Sequence, residues 1–143
     1  MKVKSPGFSI AELLIWIAVV GILMTFMLPK FGQIMQRGKE TGTKSLMNTM
    51  SSALQQYSLD VGRYPTTRDG GLDVLINRPG GKEGERWRGP YLEGYDEVPA
   101  DAWGGEFEYN SPPREFTKKY KRFEIISRGS DPDEEKSALH VGS

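Results

Sequence analysis

Apolar residues dominate the first part of the chain and predict one long helix. Residues 13–28 form an almost continuous apolar run, interrupted only by Gly21 and Thr25. As a helix this run is about 24 Å long, slightly shorter than a hydrocarbon core of about 30 Å. Including residues 8–11 supplies the missing length, but it places Glu12 inside the apolar segment. An unpaired carboxylate there costs about 2.5 kcal/mol or more, so Glu12 needs a specific partner or an interfacial position.

After the apolar run the pattern becomes amphipathic while the helical spacing continues. One apolar stripe advances by three or four positions at a time, through Leu46, Met50, Ala53, Tyr57 and Val61. This period is that of a helix with one buried face. We therefore predict a single helix over about residues 8–61. Its membrane-spanning half covers 8–29 and its amphipathic half covers 30–61.

Residues 62–105 are rich in Gly and Pro and are predicted as a loop region. Gly62 begins a stretch that ends the long helix, and Pro65 favours an extended conformation at the residue before it. Within this region, residues 72–76 have the pattern of one or two helical turns. The glycine-rich residues 80–86 are predicted as loop.

The last third of the chain carries the predicted strands. Residues 106–110 and 120–127 are the two strand candidates, with alternation clear at Phe107 and Tyr109 and at Phe123 and Ile125. The predicted sheet therefore lies within residues 106–127. The remaining residues, 128–143, are predicted as an acidic C-terminal loop and tail. The predicted fold class is α+β, with a long N-terminal helix packed on a small antiparallel sheet.

Length and composition fit one small domain with an anchor. The chain has 143 residues, with nineteen basic and nineteen acidic side chains. This balance provides no global field that favours nucleic acid. There is no cysteine and only one histidine, His140, and no glycine loop that could cradle a phosphate. Neither a nucleophile–base pair nor a nucleotide site can be assembled from these residues, so we predict that the protein is not an enzyme.

A short basic leader, residues 1–7, precedes the apolar helix. A secretory signal would carry a small-x-small cleavage site after the apolar run, and none is present there. Processing after Gly7 is the more plausible alternative, and it would create a new amino terminus on Phe8. That ammonium would lie four residues from Glu12 on the same helix face. The two groups could pair within one chain or between neighbouring chains.

The sequence GFSIAE at residues 7–12, between a basic leader and an apolar helix, resembles the class III signal of type IV pilins and pseudopilins. The resemblance implies cleavage after Gly7 by a prepilin peptidase and N-methylation of Phe8. It also implies that Glu12 meets the Phe8 amine of a neighbouring subunit during filament assembly. The alternative is a simple signal anchor in which Glu12 has no assembly role.

Motifs in the middle of the chain resemble one branch of that superfamily. The sequences DVGRYPTT at 60–67, GPYL at 89–92 and VPADAWG at 98–104 are similar to the major pseudopilin of type II secretion, general secretion pathway protein G. The family usually has proline where this chain has Ala102. The resemblance implies a structural subunit of a periplasmic pseudopilus, which polymerises through its N-terminal helix to drive export of folded proteins across the outer membrane.

The same resemblance implies a location and partners. The location is the bacterial inner membrane, crossed once, with the C-terminal domain in the periplasm. The expected partners are other copies of the chain, minor pseudopilins, the inner-membrane assembly platform, the secretin and prepilin peptidase. Two alternatives remain open at this stage. One is a type IV or competence pilin for adhesion, motility or DNA uptake, and the other is a lone anchored binding domain.

Two charged segments near the C-terminus raise questions of chemistry. Asp131 and Asp133 lie in a run of acids whose oxygens suit calcium, and the resembled family binds calcium at this place. Here Pro132 replaces a family glycine and the loop is shorter, so a solvated acidic tail is the alternative.

The basic residues of 114–122 alternate with aromatic ones, which is compatible with a nucleic-acid face. A hairpin with its charges outward is the interpretation we prefer, and we predict no nucleic-acid partner.

Overall fold

The computed structural model describes residues 7–131, 133 and 137–143. The leader predicted at 1–7 therefore lies, except for Gly7, outside the described residues. The helices are α1 (Ile10–Val61), α2 (Gly81–Arg86) and two 3-10 helices (Thr67–Asp69 and Gly71–Leu75). The strands are β1 (Glu108–Asn110), β2 (Glu124–Ser127) and β3 (Leu139–Gly142). The α+β class with a long N-terminal helix and a small antiparallel sheet is confirmed.

The chain divides into two compact units, with the boundary between Gly38 and Lys39. The described part of the N-terminal unit is the first half of α1 and the three residues before it. The C-terminal unit, Lys39–Ser143, contains the second half of α1 and every other element. It also contains the hydrophobic core.

The apolar stripe predicted on α1 forms one wall of that core. Tyr57, Met50 and Leu54 are fully buried, and Phe123 and Ile125 approach them from the sheet region. Burying a side chain of this size contributes about 1.5–3 kcal/mol relative to leaving it exposed. The helical periodicity of residues 46–61 therefore decides which face of α1 packs on the sheet.

The sheet has the order β1-β2-β3, and both pairings are antiparallel. Ile125 at the centre of β2 pairs with Tyr109 on one side and with Val141 on the other. All four residues of β2 are buried. A strand with neighbours on both edges and covered faces has no solvent side, which explains why its sequence does not alternate cleanly.

Three sequence-based predictions need correction. The strands are shorter than 106–110 and 120–127. Strand β3 lies inside 128–143, which was predicted as a tail, because this four-residue strand is stabilised by distant contacts: it pairs with β2, and Leu139 and Val141 pack against the core. Residues predicted as loop form helix α2, where Arg78 Nε donates to the Gly84 carbonyl at 2.7 Å and Arg63 binds Glu83. The helical turns predicted at 72–76 are confirmed as the second 3-10 helix, Gly71–Leu75.

Candidate assembly interface

The first half of α1 is an apolar rod without a covered face. Large apolar side chains from Phe8 to Met35 are all exposed, with Phe8 at 75% and Phe26 at 71%. Among the described residues, α1 is the one helix that is long and apolar enough to cross a membrane. A helix that is hydrophobic on every side requires a lipid or protein environment, because water is a poor solvent for it. This rod is the largest unsatisfied surface that the structure describes.

Glu12 lies in the first turn of α1 and is exposed. The turn is closed by the Leu13 amide, which donates to the Ser9 carbonyl at 3.1 Å. The positive end of the helix dipole favours a carboxylate at this position. Glu12 is the one charged side chain in residues 8–29, and its carboxylate forms no ion pair with any part of the chain that the structure describes. The assembly role of Glu12 therefore stays a prediction.

The predicted processing site precedes the regular helix. Gly7 and Phe8 lie before Ile10, where α1 begins, so the bond between them is outside the helical hydrogen-bond ladder. Phe8 is exposed, and the position where Gly7 would carry a side chain is open. Exposed, irregular backbone is the kind that proteases cut. Cleavage at this bond therefore stays a prediction, with the bond exposed and outside the helix.

The hydroxyl within the apolar run is satisfied by its own helix. Thr25 Oγ1 donates to the Gly21 carbonyl at 3.0 Å. In hydrocarbon an unbonded hydroxyl costs several kcal/mol, about as much as other lone polar groups. The internal hydrogen bond makes residues 13–28 compatible with a membrane despite Thr25.

In the C-terminal unit the motif at 98–104 forms a turn around a buried carboxylate. Asp101 Oδ1 accepts hydrogen bonds from the amides of Trp103 (3.0 Å) and Gly105 (2.7 Å). Asp101 Oδ2 accepts from the Ser127 hydroxyl of β2, and the Ala102 amide donates to Thr43 Oγ1 of α1. Both carboxylate oxygens of Asp101 accept hydrogen bonds from within the fold. The motif therefore connects a loop to the sheet and to α1, and it is not a reaction centre.

The motif at 60–67 also has a structural role. Arg63 bridges two acids, with Nη1 2.6 Å from Asp69 Oδ2 and Nη2 2.9 Å from Glu83 Oε1. Asp69 also accepts from the amide and the hydroxyl of Thr66, which caps the 3-10 helix. The Arg63 guanidinium, assisted by these Thr66 donors, holds the pKa of Asp69 far below its ordinary value. Gly62 has a φ of 95°, which a side chain would strain, so glycine is required where the chain leaves α1.

A second buried carboxylate was not singled out by the sequence analysis. Glu124 of β2 accepts from the backbone amides of Arg114 (2.7 Å), Glu115 (2.9 Å) and Phe116 (2.8 Å). The Asn110 side chain also donates to it, at 3.0 Å. Burial by itself raises the pKa of Glu124, but these hydrogen bonds outweigh burial and the pKa is lowered. An acid between the apolar Phe123 and Ile125 was the signal that could have revealed it.

The oxygen atoms described around the predicted calcium residues do not form a coordination site for a cation. Asp131 and Asp133 are exposed, and Asp131 Oδ1 accepts from the Asp133 amide at 3.1 Å. The Ser137 hydroxyl lies 2.8 Å from the Arg128 carbonyl and 2.5 Å from the Asp131 carbonyl. Calcium takes six to eight oxygens, as a general rule. Over residues 7–131, 133 and 137–143 there is no group of three or more potential metal ligands. This geometry favours an acidic segment closed by Ser137, and calcium binding there stays a prediction.

Comparison with known proteins decides the family. A family model described as Type II secretion system (T2SS), protein G matches residues 30–141. The chain belongs to the Type II secretion system protein G family. The core protein G of Vibrio cholerae is 29% identical over 132 residues, which cover 92% of this chain and 84% of that protein. The core protein G of Xanthomonas campestris pv. campestris is 31% identical over 130 residues, covering 91% and 82%.

A solved structure agrees with this family assignment. The major pseudopilin from the type 2 secretion system of enterohaemorrhagic Escherichia coli is similar with a TM-score of 0.57 and 28% identity. The similarity covers 73% of this chain and 86% of that chain. As a member of the protein G family, the chain is a structural pseudopilin and not an enzyme, as predicted. The alternative of a type IV or competence pilin is not favoured by these matches.

Proposed function

We propose that this chain polymerises through the first half of α1 into a pseudopilus that drives export of folded proteins across the outer membrane. One observation carries the proposal: an apolar rod exposed on all sides has a single carboxylate, Glu12, in its first turn. A lone membrane anchor needs apolar side chains but has no use for an acid at this depth. An assembly helix needs both, because the acid selects and positions the next copy.

The proposed mechanism begins with cleavage after Gly7. The cleavage releases the amino group of Phe8, which becomes an ammonium, and N-methylation of Phe8 retains that positive charge. The ammonium of one copy then pairs with Glu12 of a neighbour while the apolar helices bundle. Once both groups are inside the low-dielectric filament core, the paired arrangement is strongly preferred over one that leaves either charge alone. The C-terminal units would form the outside of the filament.

The proposed location follows from the same helix. Residues 8–29 would cross the bacterial inner membrane once and leave the C-terminal unit in the periplasm. Prepilin peptidase would cleave after Gly7 at the opposite face of this membrane. The further proposed partners are minor pseudopilins, the inner-membrane assembly platform and the secretin, with the family membership as support.

Replacing Glu12 tests the mechanism. Glu12→Ala and Glu12→Gln are expected to be inserted and cleaved normally, yet to be absent from filaments and to abolish export. The Gln variant keeps the size of the side chain, so it isolates the charge. Glu85→Ala removes an exposed acid from α2 and is the matched control, with export unchanged. Normal filaments and normal export with both Glu12 variants would contradict the proposal.

The mass of the mature protein extracted from membranes tests the processing step. A chain that begins at Phe8 with one added methyl group is the expected result. A chain that still begins at Met1 in a system with working export would show that cleavage plays no part. It would instead support a lone anchored domain.

A further inference from the structure

The charges of the C-terminal unit are separated along the chain, although the chain as a whole is neutral. Residues 89–113 contain six acids and no Lys or Arg. The next nine residues, 114–122, contain five basic side chains and one acid. We call residues 114–122 the basic loop. Two of the six acids serve the fold, since Asp101 accepts buried hydrogen bonds and Glu108 pairs with Arg128. The Glu12 mechanism requires none of the other four.

Two of these six acids, Glu97 and Glu106, meet Asp73 at a groove on the surface of the C-terminal unit. The groove has a volume of about 650 Å³, and its three carboxylates are those of Asp73, Glu97 and Glu106. All three residues are exposed, while Leu72 and Phe107 contribute apolar surface between them. No Lys or Arg is among the described residues that line it. We call this surface the acidic groove.

The basic loop is held rigidly with its cations in solvent. The buried carboxylate of Glu124 binds the backbone amides at the start of the loop, and the buried Tyr120 anchors its middle. The acid of the loop, Glu115, is neutralised by Arg128, whose Nη2 lies 2.6 Å from Glu115 Oε1. The five cations are all exposed: Arg114, Lys118, Lys119, Lys121 and Arg122. None of them forms an ion pair with another described residue.

We propose that the acidic groove receives the basic loop of a neighbouring copy in the pseudopilus. This inference rests on the proposed function, since it requires copies that polymerise. Each copy carries both the acidic groove and the basic loop. A contact in which the loop of one copy enters the groove of the next therefore places positive charge against negative charge. Because the groove and the loop are different surfaces, the contact is heterologous, and such contacts generate open helical filaments when the rotation between copies does not close.

The strength of this contact would come from tethering and rigidity. An exposed ion pair contributes little alone, about 0–1 kcal/mol in general. The apolar helices hold neighbouring copies together, so the groove meets the loop at a high effective concentration. The loop is already ordered by Glu124 and Tyr120, which lowers the entropic cost of docking. A different anionic partner for the loop would leave the groove unexplained, whereas a second copy explains both.

Charge exchange in the full-length chain tests the contact. The loop variant carries Lys118→Glu and Lys119→Glu, and the groove variant carries Glu97→Lys and Glu106→Lys. We expect each to reduce filament yield by at least about fivefold, and the chain with all four changes to recover to within about twofold of the original. The control carries Lys82→Glu and Glu85→Lys, exposed positions on α2, and is expected to assemble normally. Unchanged yield in both single-surface variants, or no recovery in the four-change chain, would overturn the inference.

The absence of cysteine allows a direct second measurement. Copies with Glu106→Cys are mixed in one membrane with copies with Lys119→Cys, and oxidation is expected to link the two kinds in assembled filaments. Pairing Glu106→Cys with Lys82→Cys is the control and should give no link. If a charge variant fails to fold, this cross-linking measurement tests the contact between the acidic groove and the basic loop in its place. Filaments and export without the link would remove only this contact, whereas an original chain that forms no filament would remove the proposed function itself.

Discussion

The Ser127 hydroxyl donates a hydrogen bond to Asp101 Oδ2 at 2.5 Å, and both residues are buried. They are 26 positions apart in the chain and connect the turn at 101–105 to the central strand β2. The amides of Trp103 and Gly105 donate to the other oxygen of the same carboxylate. A buried acid with three donors holds the turn in one conformation.

Removing that carboxylate should destabilise the C-terminal unit. Asp101→Ala leaves three donors without their acceptor, of which the Ser127 hydroxyl is buried and the amides of Trp103 and Gly105 are only partly buried, and we expect it to lower the free energy of unfolding by about 2 kcal/mol. Asp101→Asn keeps one acceptor oxygen for the two amides, so its cost should be about 1 kcal/mol. Denaturant unfolding of the full chain in detergent, followed by tryptophan fluorescence, measures both. Equal effects of Ala and Asn would show that the hydrogen bonds are not the source of the stability.

Glu124 should make the stability of the C-terminal unit sensitive to acid. Its pKa in the folded chain lies below its ordinary value of 4.5, so the ionised form stabilises the fold above about pH 4.5. That contribution is lost as the pH falls through the lowered pKa. Asp69 and Glu108 also have lowered pKa values, each through hydrogen bonding to an arginine first of all, and they add to the acid sensitivity.

The Glu124→Gln variant distinguishes the contribution of Glu124 to the acid sensitivity from the contributions of Asp69 and Glu108. Glutamine cannot accept from all four donors, because its amide nitrogen would face a donor amide, so we expect a loss of about 2 kcal/mol near neutral pH. The further loss between about pH 6 and pH 3 should be smaller than in the original chain. Unfolding curves at several pH values provide the comparison. Parallel pH profiles for the two chains would argue against the role of Glu124.

Tyr57 carries a polar group that the core does not satisfy. Its side chain is fully buried, and its hydroxyl has no hydrogen-bond partner within the part of the chain described. An unbonded buried hydroxyl costs free energy, and phenylalanine has nearly the same shape. Tyr57→Phe is therefore expected to raise the free energy of unfolding by about 1 kcal/mol. Tyr109→Phe is the control and should be destabilising, since the Tyr109 hydroxyl donates to the Pro65 carbonyl at 2.8 Å.

The segment between β2 and β3 should depend on Ser137 more than on calcium. Ser137→Ala removes the hydroxyl that reaches the Arg128 and Asp131 carbonyls, and we expect it to cost about 1 kcal/mol. Addition of a chelator should leave the melting temperature of the original chain unchanged. Asp131→Asn with Asp133→Asn should likewise have little effect. A fall in melting temperature with chelator, restored by added calcium, would establish the metal site instead.

The extent of sequence-based prediction differs between elements for a physical reason. The whole of α1 was predicted, because helical hydrogen bonds and amphipathic spacing join residues three or four positions apart. Strand β3 was missed because Leu139–Gly142 contains too few residues for a pattern of its own. Its stability comes from pairing with β2, and no local rule reports that pairing. For the same reason residues 81–86 were predicted as loop, although Arg63 and Arg78 hold them as helix α2.

The sequence alone predicts the anchor and its processing. An apolar run with one acid, Glu12, and a motif at Gly7 and Phe8 are recognised from neighbouring residues, because they involve no contact with distant parts of the chain. The tertiary structure decided everything that depends on distant pairs. It made Asp101 and Glu124 buried acceptors of several hydrogen bonds, and it brought acids from separate loops to one groove. Apart from Trp103 and Gly105, whose amides donate to Asp101, the residues concerned are from 8 to 59 positions apart, farther than one helical turn or one strand repeat reaches, and only the folded chain brings their donors and acceptors within hydrogen-bonding distance.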